Sequence, residues 1–308
     1  MSKDVKFYLN GGGLFTVQGR WWDENIESLF IEVGARIYNP WRESKEGVLK
    51  STLSGRELRA HIFESDRRGV DVSQGIIMLG EGAAGEVSSG TAWETGYGYA
   101  RGKLVLCMRT DLRGGLNPLL KQCLFDGKVC KDKEELRLHT TRAVEKIRRS
   151  GVAQTSYDPP PRHSRIRKVL LSAPYFTEAE ETYARDLAGD LSKLGLDILF
   201  PPGEANLSKR LSSGRGAVWS DLFERKILCL DECDAVVALL EGADCGSETS
   251  WDCGYGYSKY KPVFGMRTDL RSLGDLGGQV NLMMEQSIVG PKLCSSLAEL
   301  KRLIDTVL

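Results

Sequence analysis

One passage occurs twice in this chain. Residues 91–113 read TAWETGYGYARGKLVLCMRTDLR and residues 249–271 read TSWDCGYGYSKYKPVFGMRTDLR, an ungapped match with 14 of 23 positions identical. The spacing is far too long for a solenoid repeat and fits a whole domain. Shorter fragments recur in the same order. KFYLNGGGLFT (6–16) answers KVLLSAPYFT (168–177), ARIYNPW (35–41) answers LDILFPP (196–202), and GLNPLL (115–120) answers QVNLMM (279–284). Each half closes on an amphipathic helical pattern, KEELRLHTTRAVEKI (133–147) and SSLAELKRLIDTVL (295–308). Between them, residues 150–165 are polar and carry three consecutive prolines, the composition of a semi-rigid linker. The sequence therefore divides into a first domain over 1–149, a linker over 150–165 and a second domain over 166–308. A length of 308 residues suits two domains of about 150 each.

Within each half, short and continuously apolar β-branched runs alternate with helical stretches. Such runs are what strands buried on both faces require. The alternation predicts an α/β fold, two doubly wound parallel-sheet domains of the flavodoxin-like or Rossmann-like kind. Ligands on these sheets sit beyond the carboxyl ends of the strands, where the strand order switches. GGGLFT (11–16), GEGAAGEVSSGT (80–91) and EGADCGSET (241–249) fall at those ends.

Composition narrows the partners. The 42 basic and 42 acidic residues cancel, so no electrostatic footprint for a nucleic acid polymer is evident. No apolar run has the length of about 18 residues that a membrane span needs. The chain opens without a signal-peptide core, and the expectation is a cytoplasmic protein whose eight cysteines are reduced thiols. Cys229 and Cys233 are four apart in a predicted helix, but no His or Cys-x-x-Cys pattern accompanies them, so no metal site is expected. His61, His139 and His163 are isolated. No cofactor is expected.

The repeat changes one acid: Glu94 in the first copy is Asp252 in the second. Thr91-x-x-Glu94 reads as a capping box, with Thr249-x-x-Asp252 as a poorer version. A carboxylate in the first turn of a helix that follows a glycine-rich strand end also points at the ligand crevice. The stretches FYLNGGGLFT, SSGTAWETGYGYARGKLVL and VNLMM together resemble the signatures of the nucleoside 2-deoxyribosyltransferases, over nearly all of each half. The resemblance implies base exchange on a 2'-deoxynucleoside, with Glu94 attacking C1' and Tyr8 orienting it. It further implies that Gly90, Ser88 and Gln74 line the substrate site. Asn281 is implied to hold the sugar hydroxyl from the opposite half, as in a subunit dimer collapsed into one chain. The partner expected is a nucleoside, nucleobase or nucleotide, and further homo-oligomerisation is compatible with it.

Departures from the pattern separate the halves. Gln74 and Ser88 stand where the resemblance places carboxylates, and one extra residue among Gly11–Gly13 must be absorbed in the first loop. The second half has Leu170 in place of Tyr8, Asp234 in place of Gln74, and Gly246 in place of Ser88 with Asp244 nearby. Asp252 is one methylene shorter than Glu94, and such a displacement of about 1 Å can cost roughly 10²-fold in rate. Asp252, Asp234, Asp244 and Asn117 are thus expected to form a second, degenerate site. A working first half and a supporting second half is the favoured expectation. Hydrolysis of a nucleoside or nucleotide, or a non-catalytic nucleotide-binding regulatory role, are the alternatives. MRTDLR, with Arg109–Asp111 and Arg267–Asp269 pairs, is expected to brace loops. Tyr97, Tyr99, Tyr255 and Tyr257 are expected to pack helices rather than bases.

Overall fold

A computed structural model describes residues 4–11, 17–40, 42–43, 53, 55–82, 85–111, 114–150, 166–201, 215–269, 279–290 and 293–307. The proline linker, Gly12, Gly13 and His163 lie outside these residues. The first half runs β1 (Val5–Asn10), α1 (Val17–Glu32), β2 (Ala35–Tyr38), α2 (Gly55–Val72), β3 (Gly75–Leu79), α3 (Ser89–Ala100), β4 (Leu104–Met108), α4 (Pro118–Gln122), β5 (Val129–Cys130) and α5 (Lys133–Ser150). The second half runs β6 (Lys168–Ser172), α6 (Glu178–Ser192), β7 (Asp197–Leu199), α7 (Arg215–Glu232), β8 (Ala235–Leu239), α8 (Ser247–Ser258), β9 (Val263–Met266), α9 (Leu282–Ser287) and α10 (Leu297–Val307).

Both sheets are parallel, in the orders β2-β1-β3-β4-β5 and β7-β6-β8-β9. The isolated bridge Met266↔Cys294 stands where the first sheet pairs Met108 with Cys130. Each order reverses beside its first strand, which opens a crevice at the carboxyl ends of β1 and β3, and of β6 and β8. The ladder fixes the correspondence of the halves: Tyr8 pairs with Ile76, and Leu170 pairs with Val236. Leu170 therefore occupies the place of Tyr8.

The period of two along the strands divides the core. Val5, Phe7, Leu9, Ile77 and Leu106 face one apolar cluster within the first half, and Val169, Leu171, Val237 and Phe264 face its counterpart. Alternate residues, among them Tyr8, Ile76, Leu170 and Val236, belong to a single cluster that runs through both halves. Its centre is the contact of α3 with α8, and glycine makes that contact possible. A Cβ on Gly96 would stand 2.1 Å from the Trp251 carbonyl, and one on Gly254 would stand 2.0 Å from the Trp93 carbonyl. Around this crossing the aromatics interleave: Trp93 lies 5.4 Å from Tyr257, and Tyr99 lies 5.4 Å from Trp251. Tyr97 and Tyr255 also donate to Asp71 and Asp231 of the preceding helices, at 2.9 and 2.8 Å. These tyrosines pack helices, as expected from the sequence.

Candidate active site

The first crevice is assembled by β1, α2 and α3. Helix α3 begins at Ser89 with Ser88 as N-cap, whose hydroxyl accepts the Thr91 amide. That start moves Glu94 into the second helical turn. The capping box expected from Thr91 and Glu94 does not form; Ser88, three residues before Thr91, takes the role of cap. Ser88 is thereby a cap, not a group free to meet a ligand. Likewise α8 starts without a side-chain cap at Gly246, and Asp252 caps nothing.

Freed from capping, Glu94 points to the strand end. The Tyr8 hydroxyl donates to its Oε1 at 2.7 Å, with Glu94 only 7% exposed. Asn10, also from β1, ties the helix backbone through Thr91 O at 2.8 Å. Asp66 on α2 stands close enough to act on both groups. Burial, then Asp66, raise the Glu94 carboxyl well above the usual range, while the Tyr8 hydrogen bond opposes them. Burial raises the Asp66 carboxyl to about 7, and its Oδ1 is screened from solvent without a hydrogen-bond partner. Two carboxyls in one dry crevice cannot both ionise easily. The Tyr8 hydrogen bond favours charge on Glu94, against burial and the neighbouring Asp66, so the two carboxyls compete for one proton. Asp66 carried no signal in the sequence, because its meaning depends on α2 folding back beside β1.

Gly90 precedes Glu94 by one helical turn and shares its face. A Cβ at Gly90 would stand 2.9 Å from the side-chain amide of Asn281. Asn281 caps α9 by accepting the Met283 amide at 2.9 Å, and its side chain reaches the first half's crevice from the second half.

The second crevice has the same frame and different contents. The equal lengths of α2 and α7 put Lys226 in the place of Asp66. Its ammonium lies 3.1 Å from Asp252 Oδ1, with both side chains 3% exposed. Ser172 donates to the other carboxylate oxygen at 2.6 Å. Burial lowers the Lys226 pKa, but Asp252, then Tyr175 and Glu248, outweigh it and leave it raised. Glu248 stands where the first half has Gly90. Its carboxylate takes the side-chain amide of Asn117, the counterpart of Asn281, which also donates to Glu86 at 2.9 Å. The space left among Lys226, Glu248, Leu120 and Trp251 is about 10 Å³, room for about one water. The chain's own side chains fill this crevice.

Three expected site residues lie elsewhere. Gln74 precedes β3 at the amino edge of the sheet, where its Oε1 accepts the Lys6 amide at 2.8 Å. Asp234 does the same before β8, accepting the amides of Arg167 and Lys168 at 2.8 Å each. A residue just before a buried parallel strand faces the end opposite the crevice, so neither reaches it. Asp244 crosses to the first half and takes the Ser89 amide at 3.1 Å and its hydroxyl. Glu86 does the reciprocal with Ser247. In the first copy of the repeated MRTDLR, Arg109 braces loops: it lies 3.7 Å from Asp111 and donates to the carbonyls of Gly82 and Gly114. Among the described residues, no group of three or more His, Cys, Asp or Glu is placed to hold a metal, and no helix is long and apolar enough to cross a membrane.

With this geometry in hand, comparison with known proteins identifies the lineage. The model of the family described as nucleoside 2-deoxyribosyltransferase matches residues 7–152 and again residues 169–287. The chain belongs to the nucleoside 2-deoxyribosyltransferase family. A search of curated proteins returned no match. Among solved structures, a 2-deoxyribosyltransferase from Bacillus psychrosaccharolyticus is 20% identical, with 43% of this chain and 90% of that one covered at a TM-score of 0.36. One from Leishmania mexicana is 17% identical over 46% of this chain and 99% of its own, at 0.36. A conserved protein from Enterococcus faecalis V583 is 20% identical over 47% of this chain and 100% of its own, at 0.39. As a deoxyribosyltransferase relative, the chain carries the family pattern twice, once with an acid pair and once with an ion pair in its place.

Proposed function

We propose that the first half exchanges the base of a 2'-deoxynucleoside through a covalent intermediate on Glu94, and that the second half completes this site without turning over itself. The observation that carries the reading is the triad of Tyr8, Glu94 and Asp66, a buried carboxyl that accepts a tyrosine hydroxyl beside a second carboxyl with raised proton affinity. Retention at an anomeric carbon calls for a carboxylate nucleophile and a separate acid for the leaving group. Glu94 attacks C1' as the C1'–N bond breaks, and the Asp66 proton passes to the leaving base. A second base then attacks C1' with release of Glu94, and Asp66 takes the proton that base loses. Tyr8 fixes the orientation of the nucleophile. Asn281 is assigned to the sugar hydroxyl.

This reading takes residues 1–149 and 166–308 as two domains joined by the 150–165 linker. It also takes their reciprocal contacts as those of an intramolecular pseudo-dimer. Isologous contact is what a duplicated dimer inherits, and the paired Gly96–Trp251 and Gly254–Trp93 approaches support it. All eight cysteines are free thiols, in keeping with a cytoplasmic location.

The test is incubation with a 2'-deoxynucleoside and a second, different base, followed by chromatography. The expected product is the exchanged deoxynucleoside. Free deoxyribose with no exchange would establish hydrolysis instead. Binding without either product would establish the non-catalytic alternative.

A further inference from the structure

Helix α9 comes from the second half but is fastened to the first. Its Ser287 hydroxyl accepts the Trp93 indole N–H at 3.0 Å, in a setting where Trp93 is fully buried and Ser287 is 5% exposed. Its Glu285 lies 3.5 Å from the Arg59 guanidinium. Trp93 neighbours Glu94 on α3, and Arg59 lies two turns before Asp66 on α2. One short helix thus bridges the two elements that carry the acids, and its N-cap is Asn281.

The equivalent fastening at the filled crevice is weaker. Cys123 replaces Ser287, and thiol sulfur is a poor acceptor. The Trp251 indole N–H there faces the Cys123 sulfur without the geometry of a regular hydrogen bond. Lys121 and Trp219 replace Glu285 and Arg59, a combination that makes no ion pair. The full polar clamp stands at the crevice where Asn281 meets Gly90.

We propose that Ser287 and Glu285 are positioning residues for the first half's site, holding the Asn281 amide against Gly90 and fixing the spacing of α2 and α3. The proposal rests on the reading of that site given above. Because these residues act through Asn281, their effects depend on its presence. Residues that only hold the fold would act independently of it.

The experiment is a double-mutant cycle read by steady-state kinetics with one 2'-deoxynucleoside and one acceptor base. Ser287→Ala and Glu285→Gln should each lower kcat/KM about 5-fold alone, and less than about 2-fold in an Asn281→Ala background. Cys123→Ala, at the filled crevice, should leave kcat/KM unchanged. Equal losses in both backgrounds, or no loss, would overturn the proposal. A second readout does not depend on turnover: the Asn281 side-chain amide resonance of the ligand-free protein. It should shift and broaden in Ser287→Ala and in Glu285→Gln, and stay sharp in place in Cys123→Ala. An unmoved resonance in the first two overturns the proposal. A wild-type chain without base exchange overturns the functional reading instead, and leaves this second measurement to decide the clamp.

Discussion

Glu94 and Asp66 share a burial that favours protons, and this makes both stability and activity depend on pH. Asp66 rises from 3.8 to about 7 on folding, so the folded state binds its proton more tightly than the unfolded chain. The stability this provides is complete below about pH 4 and is lost as pH rises through about 7. Wild-type protein should lose on the order of 2–4 kcal/mol from this source between pH 4 and 8. Asp66→Asn should flatten that slope, as denaturant titrations at several pH values would reveal. The same substitution should remove the fall in kcat/KM above pH 7, because the leaving base then has no titrating acid. Glu94→Gln keeps an acceptor for Tyr8 and removes the nucleophile. It should cost at least about 10³-fold in turnover with no loss of thermal stability.

Among elements, α3 and α8 show how one passage acquired two meanings. Exchange of Asp66 for Lys226 reverses the charge beside the helical acid. The shorter Asp252 then leaves room for a lysine, and Glu248 meets Asn117 where Gly90 lets the Asn281 amide approach the helix. Lys226→Met leaves a buried carboxylate unpaired and should destabilise by about 3–5 kcal/mol. Adding Asp252→Ala should recover most of that loss, while activity at Glu94 stays near wild type in both variants. Chemical denaturation and base-exchange assays on the same preparations check both statements. Of these elements, the repeat, the strand–helix alternation and the meeting of Tyr8 with Glu94 and of Asn281 with Gly90 were legible in the sequence. Helix starts were not: a shift from Thr91 to Ser88 as cap decided whether Glu94 was spent on its own helix. Asp66, Lys226 and Glu248 were invisible because each acts across elements distant in sequence. Gln74 and Asp234 misled because a strand's amino edge and its carboxyl edge look alike in a one-dimensional pattern.

For the whole molecule, the two halves cross at a glycine on each helix. Gly96→Ala would push a methyl group into the Trp251 carbonyl and separate α3 from α8, at a cost of about 1–3 kcal/mol or more. The separation should also withdraw Asn281 from Gly90, so thermal melting and kcat/KM should fall together. On the proposed reading, a chain with two sheets and two crevices offers one working site. Intact-protein mass spectrometry after incubation with a 2'-deoxynucleoside, with no acceptor base present, tests that claim most directly. The account predicts one deoxyribosyl adduct per chain, located by peptide mapping on Glu94 and absent from Glu94→Gln. An adduct on Asp252, two adducts per chain, or base exchange persisting in Glu94→Gln would contradict it.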